Sequence, residues 1–430
     1  MDVAVKMETK KTYYWIIYYL VLGIIQAMWT NLSVFPPTIF RIGMIVASFA
    51  PIYTKPSLIL LAIPYSIILR GNLSTDFQYL PDIYSYSFYI FIELSAIIVH
   101  YKRLNFANFR RFLPLIILMF FIGFVDFINN GQIGPYATHL FIALLIVPFI
   151  RTDEDFHLMS SGLIVVCALL AVYYIIMFDS FLVTWNRKEG LERSGWGDPN
   201  YFSTLLDYGF LIAAIYMVGK TSENFLLSNK KFLICISVAI FSAVVMTASR
   251  AGFLCFALPL LFIFLSKRIK WYWFFLGIAF VIGVSYFLYS KGTFDVLLYR
   301  FFEQGNIESG GERTDIWDRG LSNFFNQDFI NILFGGGYWH RATLTHGADL
   351  HNEFLSVLLD YGLFGLILFL SVIFSNLTFK FKDFFYKNLP VIFFVLTLLS
   401  LSPFQSIYVC FLIIWIYSYK DFMSISKYKV

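Results

Sequence analysis

Charge is what this chain lacks most. Asp, Glu, Lys and Arg make up 14% of its 430 residues, while 59% are hydrophobic. Soluble domains carry about 25% charged and roughly 45–50% apolar residues. A larger core does not absorb that gap, because a soluble surface would still need the missing charges. A soluble globular protein is thereby excluded.

Cysteine is equally scarce, and never paired. Cys167, Cys235, Cys255 and Cys410 stand singly inside apolar segments, with no CxxC. Neither a disulfide framework nor a cysteine metal site follows, and the four read as small apolar packing residues. The N-terminal stretch MDVAVKMETKKTYYWIIYYL lacks a small-residue cleavage site, so it is expected to enter the first span and not to be removed. There is no P-loop, and no GxGxxG follows a strand pattern. No internal repeat is visible. Nothing points to nucleic acid, and no cofactor is expected.

Apolar runs are what the chain has in abundance. A bilayer core roughly 30 Å thick needs about 17–25 apolar residues per helix. Fourteen stretches, from 13–30 to 404–419, approach that length, although 56–70 and 388–402 are short. The expected fold is an all-α polytopic membrane protein, a single membrane domain over residues 1–430 with about 12–14 transmembrane helices. Polar residues near mid-span are few on this reading, which speaks against a transporter or flippase.

Basic residues orient the chain. With the N-terminus inside, 21 of the 32 Lys and Arg fall in cytoplasmic segments, sixteen of them lysines. The outer eleven reverse that ratio, with nine arginines and two lysines. Topology needs only positive charge, whereas arginine grips phosphate or carboxylate through two parallel hydrogen bonds. An outward-facing anion site is one reading; arginines snorkelling at the interface are the other. Two outer loops carry length, 185–200 and the large loop 291–352, which is expected to contain short helices. No inner segment exceeds about a dozen residues apart from the tails, so a nucleotide-sugar domain has no room there.

Three constellations lie outside. In GGERTDIWDRGLSNFF, residues Ile316, Trp317, Leu321, Phe324 and Phe325 recur at helical spacing. They predict a short amphipathic helix that starts at Arg313 and turns Arg319 away from its apolar face. FGGGYW (334–339) then breaks the pattern, either to fold the loop back over the bundle or to bring bare N–H groups to an anion. His340, His346 and His351 follow, at spacings of six and five that put no two on one helix face. A metal site of HExxH type is therefore disfavoured, and a general base is preferred, because imidazole titrates near neutrality. His351 precedes Asn352 and Glu353 at the mouth of an apolar helix, and His346 is a second candidate with Asp349 and Glu353 as capping or orienting groups.

In TASRAG (247–252), Arg250 lies between two apolar runs, where an unpaired charge is costly unless it has a function. In LERSGWGDPNYFSTLL, Asp198 or Asn200 can cap the incoming helix with Pro199 in its first turn. Arg193, just ahead of that helix N-terminus, would complete a diphosphate cradle.

These stretches, ERSGWGDPNYFSTLL, TASRAG, GERTDIWDRGLSNFFN with FGGGYW, and LHNEFLSVLLDYGLFGLILFL, occur in order over about residues 190–370. Together they resemble the O-antigen ligase and O-antigen polymerase family. The resemblance implies a membrane glycosyltransferase of the bacterial inner membrane with its active site facing the periplasm or outside. It implies transfer of a glycan from undecaprenyl diphosphate to an acceptor sugar hydroxyl, with inversion and without a metal. Arg193 and Arg250 match the arginines that bind diphosphate, and His351, in its His-Asn pair with Asn352, matches the catalytic base. Arg313 matches a recurrent family arginine, and His346 is not demanded by the motif. The implied partners are the lipid-linked glycan donor, a sugar acceptor (a lipid-linked repeat unit or lipid A core), membrane lipids and a chain-length regulator protein. Richness in Phe, Ile, Tyr and Lys suggests the AT-rich coding of polysaccharide clusters. That favours a polymerase of repeat units over a ligase of finished chains.

Overall fold

The computed structural model describes residues 14–25, 37–70, 82–176, 199–219, 225–247, 249–266, 313–379, 384–400 and 407–425, with isolated positions between 279 and 290. Among the described residues the chain is helical, with no strand. The early helices are α1 (Tyr14–Ile25), α2 (Pro37–Phe49), α3 (Ile59–Arg70), α4 (Asp82–His100), α5 (Leu113–Asn130) and α6 (Pro135–Leu145). The middle holds α7 (Asp153–Ile176), α8 (Pro199–Val218), α9 (Lys230–Met246) and α10 (Arg250–Leu265). Three short helices follow, α11 (Arg313–Phe325), α12 (Phe329–Phe334) and α13 (His340–Thr345), and then α14 (Glu353–Asn376), α15 (Phe384–Ser400) and α16 (Ile407–Ile425).

Among the described residues, four stretches are long and apolar enough to cross a membrane: 106–130, 153–176, 200–218 and 353–376. Six further apolar helices are shorter, at 10–17 residues. The expected span at 271–290 falls almost wholly outside the described residues, as do most of loop 185–200 and positions 291–312 of the large loop. Contacts divide the chain into two compact units, one of residues 1–105, 149–298 and 422–430, the other of residues 106–148 and 299–421.

In the first unit α7 and α8 run antiparallel. His157 Nδ1 lies 2.7 Å from Tyr216 Oη at one end, Cys167 Sγ donates to the Leu205 carbonyl mid-way, and Tyr174 packs on Phe202 at the other. Helices α8 and α10 run parallel: Ser249 meets Asn200, Gly252 lies against Ser203, and Phe256 stacks on Phe210 at 3.9 Å. The alternation of spans read from the basic residues requires both directions. The expectation that mid-span polar groups are few needs amending, because Glu93 and Asp207 are fully buried carboxylates in this unit.

The second unit has α14 as its axis. Gly362, at φ +67° and ψ −170°, interrupts that helix and kinks it. Phe121 and Phe334 both pack on Phe364, Phe354 on Phe369, and the large loop folds against the first half. Phe324, Leu344, Leu350, Leu358 and Leu359 form a small core beneath α11 and α13.

Candidate functional site

The loop core comes from the pattern that the sequence announced. Helix α11 begins at Arg313, buries Phe324, and turns Arg319 to solvent. Trp317 Nε1 donates to the Leu350 carbonyl at 2.8 Å and Asn323 Nδ2 to that of Leu344 at 2.7 Å, so α11 holds the segment leading to His351. Phe325 departs from the expected apolar face and is 61% exposed.

The three glycines serve packing. Gly335 and Gly337 take positive φ (76° and 87°), and a Cβ on Gly335 would run into the Asp360 carbonyl and Tyr361 Cα. A Cβ on Gly362 would lie 2.5 Å from the Leu333 carbonyl and 2.7 Å from the Gly335 nitrogen. The loop therefore seats its bare backbone in the kink of α14. The Gly335 N–H is given to the Asn331 carbonyl at 2.8 Å and that of Gly337 to the Asp360 carbonyl at 2.9 Å, so neither is free for an anion. The fold-back reading of this motif holds.

Beneath the loop lies a buried charge network that sequence reasoning missed. Arg341, counted there only among the outer arginines, is 3% exposed. Its Nη1 donates to Asp360 Oδ2 and, at 3.2 Å, to Tyr136 Oη, and its backbone N–H donates to Asp360 Oδ1 at 2.7 Å. Tyr136 in turn donates to Glu353 Oε1 at 3.3 Å. The guanidinium carbon also sits 4.8 Å from the centre of the Trp339 ring, a cation–π contact. Burial works against the charge on Arg341, but Tyr136, Asp360, Glu353 and Asp349 outweigh it and hold the guanidinium protonated. Asp126 makes a second anchor. It accepts from the N–H groups of Tyr338 at 2.6 Å and Gly134 at 3.0 Å, and from Tyr361 Oη at 3.4 Å. A signal was available, since Asp360 is a lone carboxylate inside an apolar run and calls for a cation.

His351 sits at the mouth of α14, its side chain 27% exposed. Its backbone is left-handed, φ +48°. Nδ1 is shielded, with Asp349 Oδ2 at 3.8 Å, and the backbone N–H of His351 reaches Asp349 Oδ1 at 3.3 Å. Asn352 is the helix cap: its Oδ1 accepts from the Leu355 N–H at 3.2 Å. Its side chain thus orients the helix start, while Glu353 turns inward to Tyr136. His346 caps the end of α13 at φ +58° and is exposed. His340 Nε2 accepts from the Gln327 side-chain amide at 2.7 Å, and burial lowers its pKa. Arg313 is half-buried at the start of α11.

The arginine half of the expected site belongs to the first unit. Arg193 lies outside the described residues. Arg250 is the first residue of α10, and Ser249 caps that helix by accepting the Gly252 N–H at 3.1 Å. Ser249 Oγ also donates to Asn200 Oδ1 at 2.7 Å, joining the start of α10 to the start of α8. A Cβ on Gly252 would come 2.6 Å from Ser203 Cβ, so the glycine permits this approach. Two helix N-termini thus lie side by side, and their partial positive charges add.

Fold and composition define an all-α polytopic membrane protein. Residues 235–370, from within α9 to within α14, match the family model described as O-Antigen ligase. That segment includes Arg250, Arg313, His346, His351 and Asn352, and the match supports the O-antigen ligase and polymerase family. No curated protein matches the chain.

Proposed function

We propose that this chain is a metal-independent, inverting glycosyltransferase of the bacterial inner membrane that polymerises O-antigen or capsule repeat units at the outer face. The bond between the anomeric carbon and undecaprenyl diphosphate breaks, and a bond from that carbon to the acceptor oxygen forms. The acceptor's hydroxyl proton passes to His351, and the lipid diphosphate leaves with the bonding electron pair.

The observation that carries this reading is His351 itself. Its Nδ1 faces Asp349, which leaves Nε2 as the nitrogen to take a proton. Asp349 Oδ2 stands 3.8 Å from Nδ1, close enough to favour an imidazolium without a hydrogen bond to the ring, and Asn352 fixes the helix start behind it. General-base assistance of this kind contributes roughly 10²–10⁴-fold. Arg193 and Arg250 bind the diphosphate, and the paired starts of α8 and α10 favour the same negative charge. Preorganised cations stabilise the charge that grows on the leaving group. Arg313 and His346 are supporting residues in this scheme, and a chain-length regulator is its protein partner.

The test is transfer by the purified full-length protein in detergent, supplied with a lipid-linked repeat unit and a chelator. Elongation by the wild type and its loss in His351→Ala or Arg250→Ala, with folding intact, is the expected result. A wild type that only attaches preformed polymer to lipid A core would be a ligase. One that shows no transfer and only moves lipid-linked glycan between leaflets would be a transporter.

A further inference from the structure

In the first unit a cavity of about 540 Å³ is lined by Tyr14, Trp15, Lys55, Ser57, Arg103 and Arg151, with Thr54 and Pro56 between them. Three cations on one cavity repel one another unless an anion joins them. Among the described residues the acid paired with Arg151 is Asp155, whose Oδ2 is already taken by the N–H groups of Arg151 at 3.0 Å and Thr152 at 3.1 Å. Arg151 Nε reaches Asp155 Oδ2 only at 3.6 Å, and its Nη1 is spent on the Arg103 carbonyl at 3.1 Å. That hydrogen bond ties the Arg151 side chain to the backbone of Arg103.

We propose that this cavity binds the phosphate of an anionic phospholipid headgroup. Lys55, Arg103 and Arg151 all belong to segments that the basic-residue count assigns to the cytoplasmic side, where the leaflet is rich in anionic lipid. Tyr14 and Trp15 are amphipathic aromatics of the kind that sit at headgroup depth. The exposed apolar residues of α1 and α4, among them Val21, Ile24, Ile98 and Val99, offer a lipid-facing surface on the same unit for the acyl chains. The cavity has the size of a small-molecule site.

The experiment is thermal unfolding of the full-length protein in zwitterionic detergent, titrated with short-chain phosphatidylglycerol, short-chain phosphatidylcholine or inorganic phosphate. Phosphatidylglycerol should raise the unfolding temperature saturably, and phosphatidylcholine should not. Arg103→Gln, an exposed position whose side chain makes no hydrogen bond or ion pair among the described residues, should weaken the phosphatidylglycerol effect by about tenfold, and Lys55→Gln with it by more. Lys230→Gln with Lys231→Gln, an exposed basic pair elsewhere on this unit, should leave it unchanged. Equal effects of the two lipids, or equal loss in the Lys230/Lys231 control, would overturn the site. Saturation by inorganic phosphate alone at the same concentration would overturn the lipid as its occupant.

Discussion

Replacing Arg341 by methionine tests the core of the second unit. The substitution removes the Nη1 bonds to Asp360 and Tyr136 and leaves Asp360, which is fully buried, without its cation. Breaking a buried pair from one side costs about 3–5 kcal/mol, because the remaining charge is uncompensated. For a body of 150–250 residues, each kcal/mol lowers the unfolding midpoint by about 2–4 °C, so a fall on the order of 10 °C is expected. Asp360→Asn should cost about as much. The double variant Arg341→Met/Asp360→Leu should recover a large part of the loss, since an apolar pair of similar volume often substitutes for a buried ion pair. A thiol-reactive dye can follow unfolding once the exposed Cys235 is replaced by serine, because Cys410 in this unit is fully buried. If both single variants melt within 2 °C of wild type (about 1 kcal/mol or less), the pair does not hold the loop to α14. The same conclusion follows if the losses in the double variant simply add.

His351→Gln should lower the transfer rate by roughly 10²–10⁴-fold while leaving the melting temperature unchanged; substantial residual activity would remove His351 from the base role. Gly335→Ala should destabilise the second unit by more than the roughly 1–3 kcal/mol of backbone strain alone, because its Cβ meets the Asp360 carbonyl, whereas Gly347→Ala, with open space around it, should show the strain alone. Asn352→Ala should cost about 1 kcal/mol through the lost cap, with Asn352→Asp restoring it in the same melting assay. Burial lowers the pKa of His340 in the folded chain, so the unfolded chain takes the proton first as pH falls below about 6.5. Stability should therefore drop from pH 7.5 to 5.5, and His340→Gln should flatten that drop; an identical slope in the variant would exclude His340 as its source.

The short helix 313–325 was legible because an amphipathic helix writes its own period: Ile316, Trp317, Leu321 and Phe324 need no partner to be recognised. Only Phe325 misled, since adjacent positions differ by about 100° around a helix axis. The role of the glycines was half legible. Sequence shows that FGGGYW must turn, but the surface it turns onto depends on Gly362, which sits inside a run that reads as continuous helix. Arg341 was illegible as a structural residue for a chemical reason. An outward arginine suits phosphate and carboxylate equally, and the carboxylate that claims it, Asp360, lies nineteen positions away in an apolar helix.

The network also explains how the loop tolerates its backbone. Among the described residues, the non-glycine positions with positive φ are Trp339, His346 and His351, all within one short stretch. Each such residue costs on the order of 1–3 kcal/mol and persists only where surrounding contacts over-determine it. Those contacts can be named: Asp126 on the Tyr338 N–H, Asp360 on Arg341, and Trp317 on the Leu350 carbonyl bracket the three strained residues in turn. The strained histidine at the helix mouth is the expected base, with Asn352 capping the helix behind it. The buried ion pair, the seated glycines and the helix cap therefore act on one stretch of backbone, the path from Tyr338 to the start of α14 on which His351 stands.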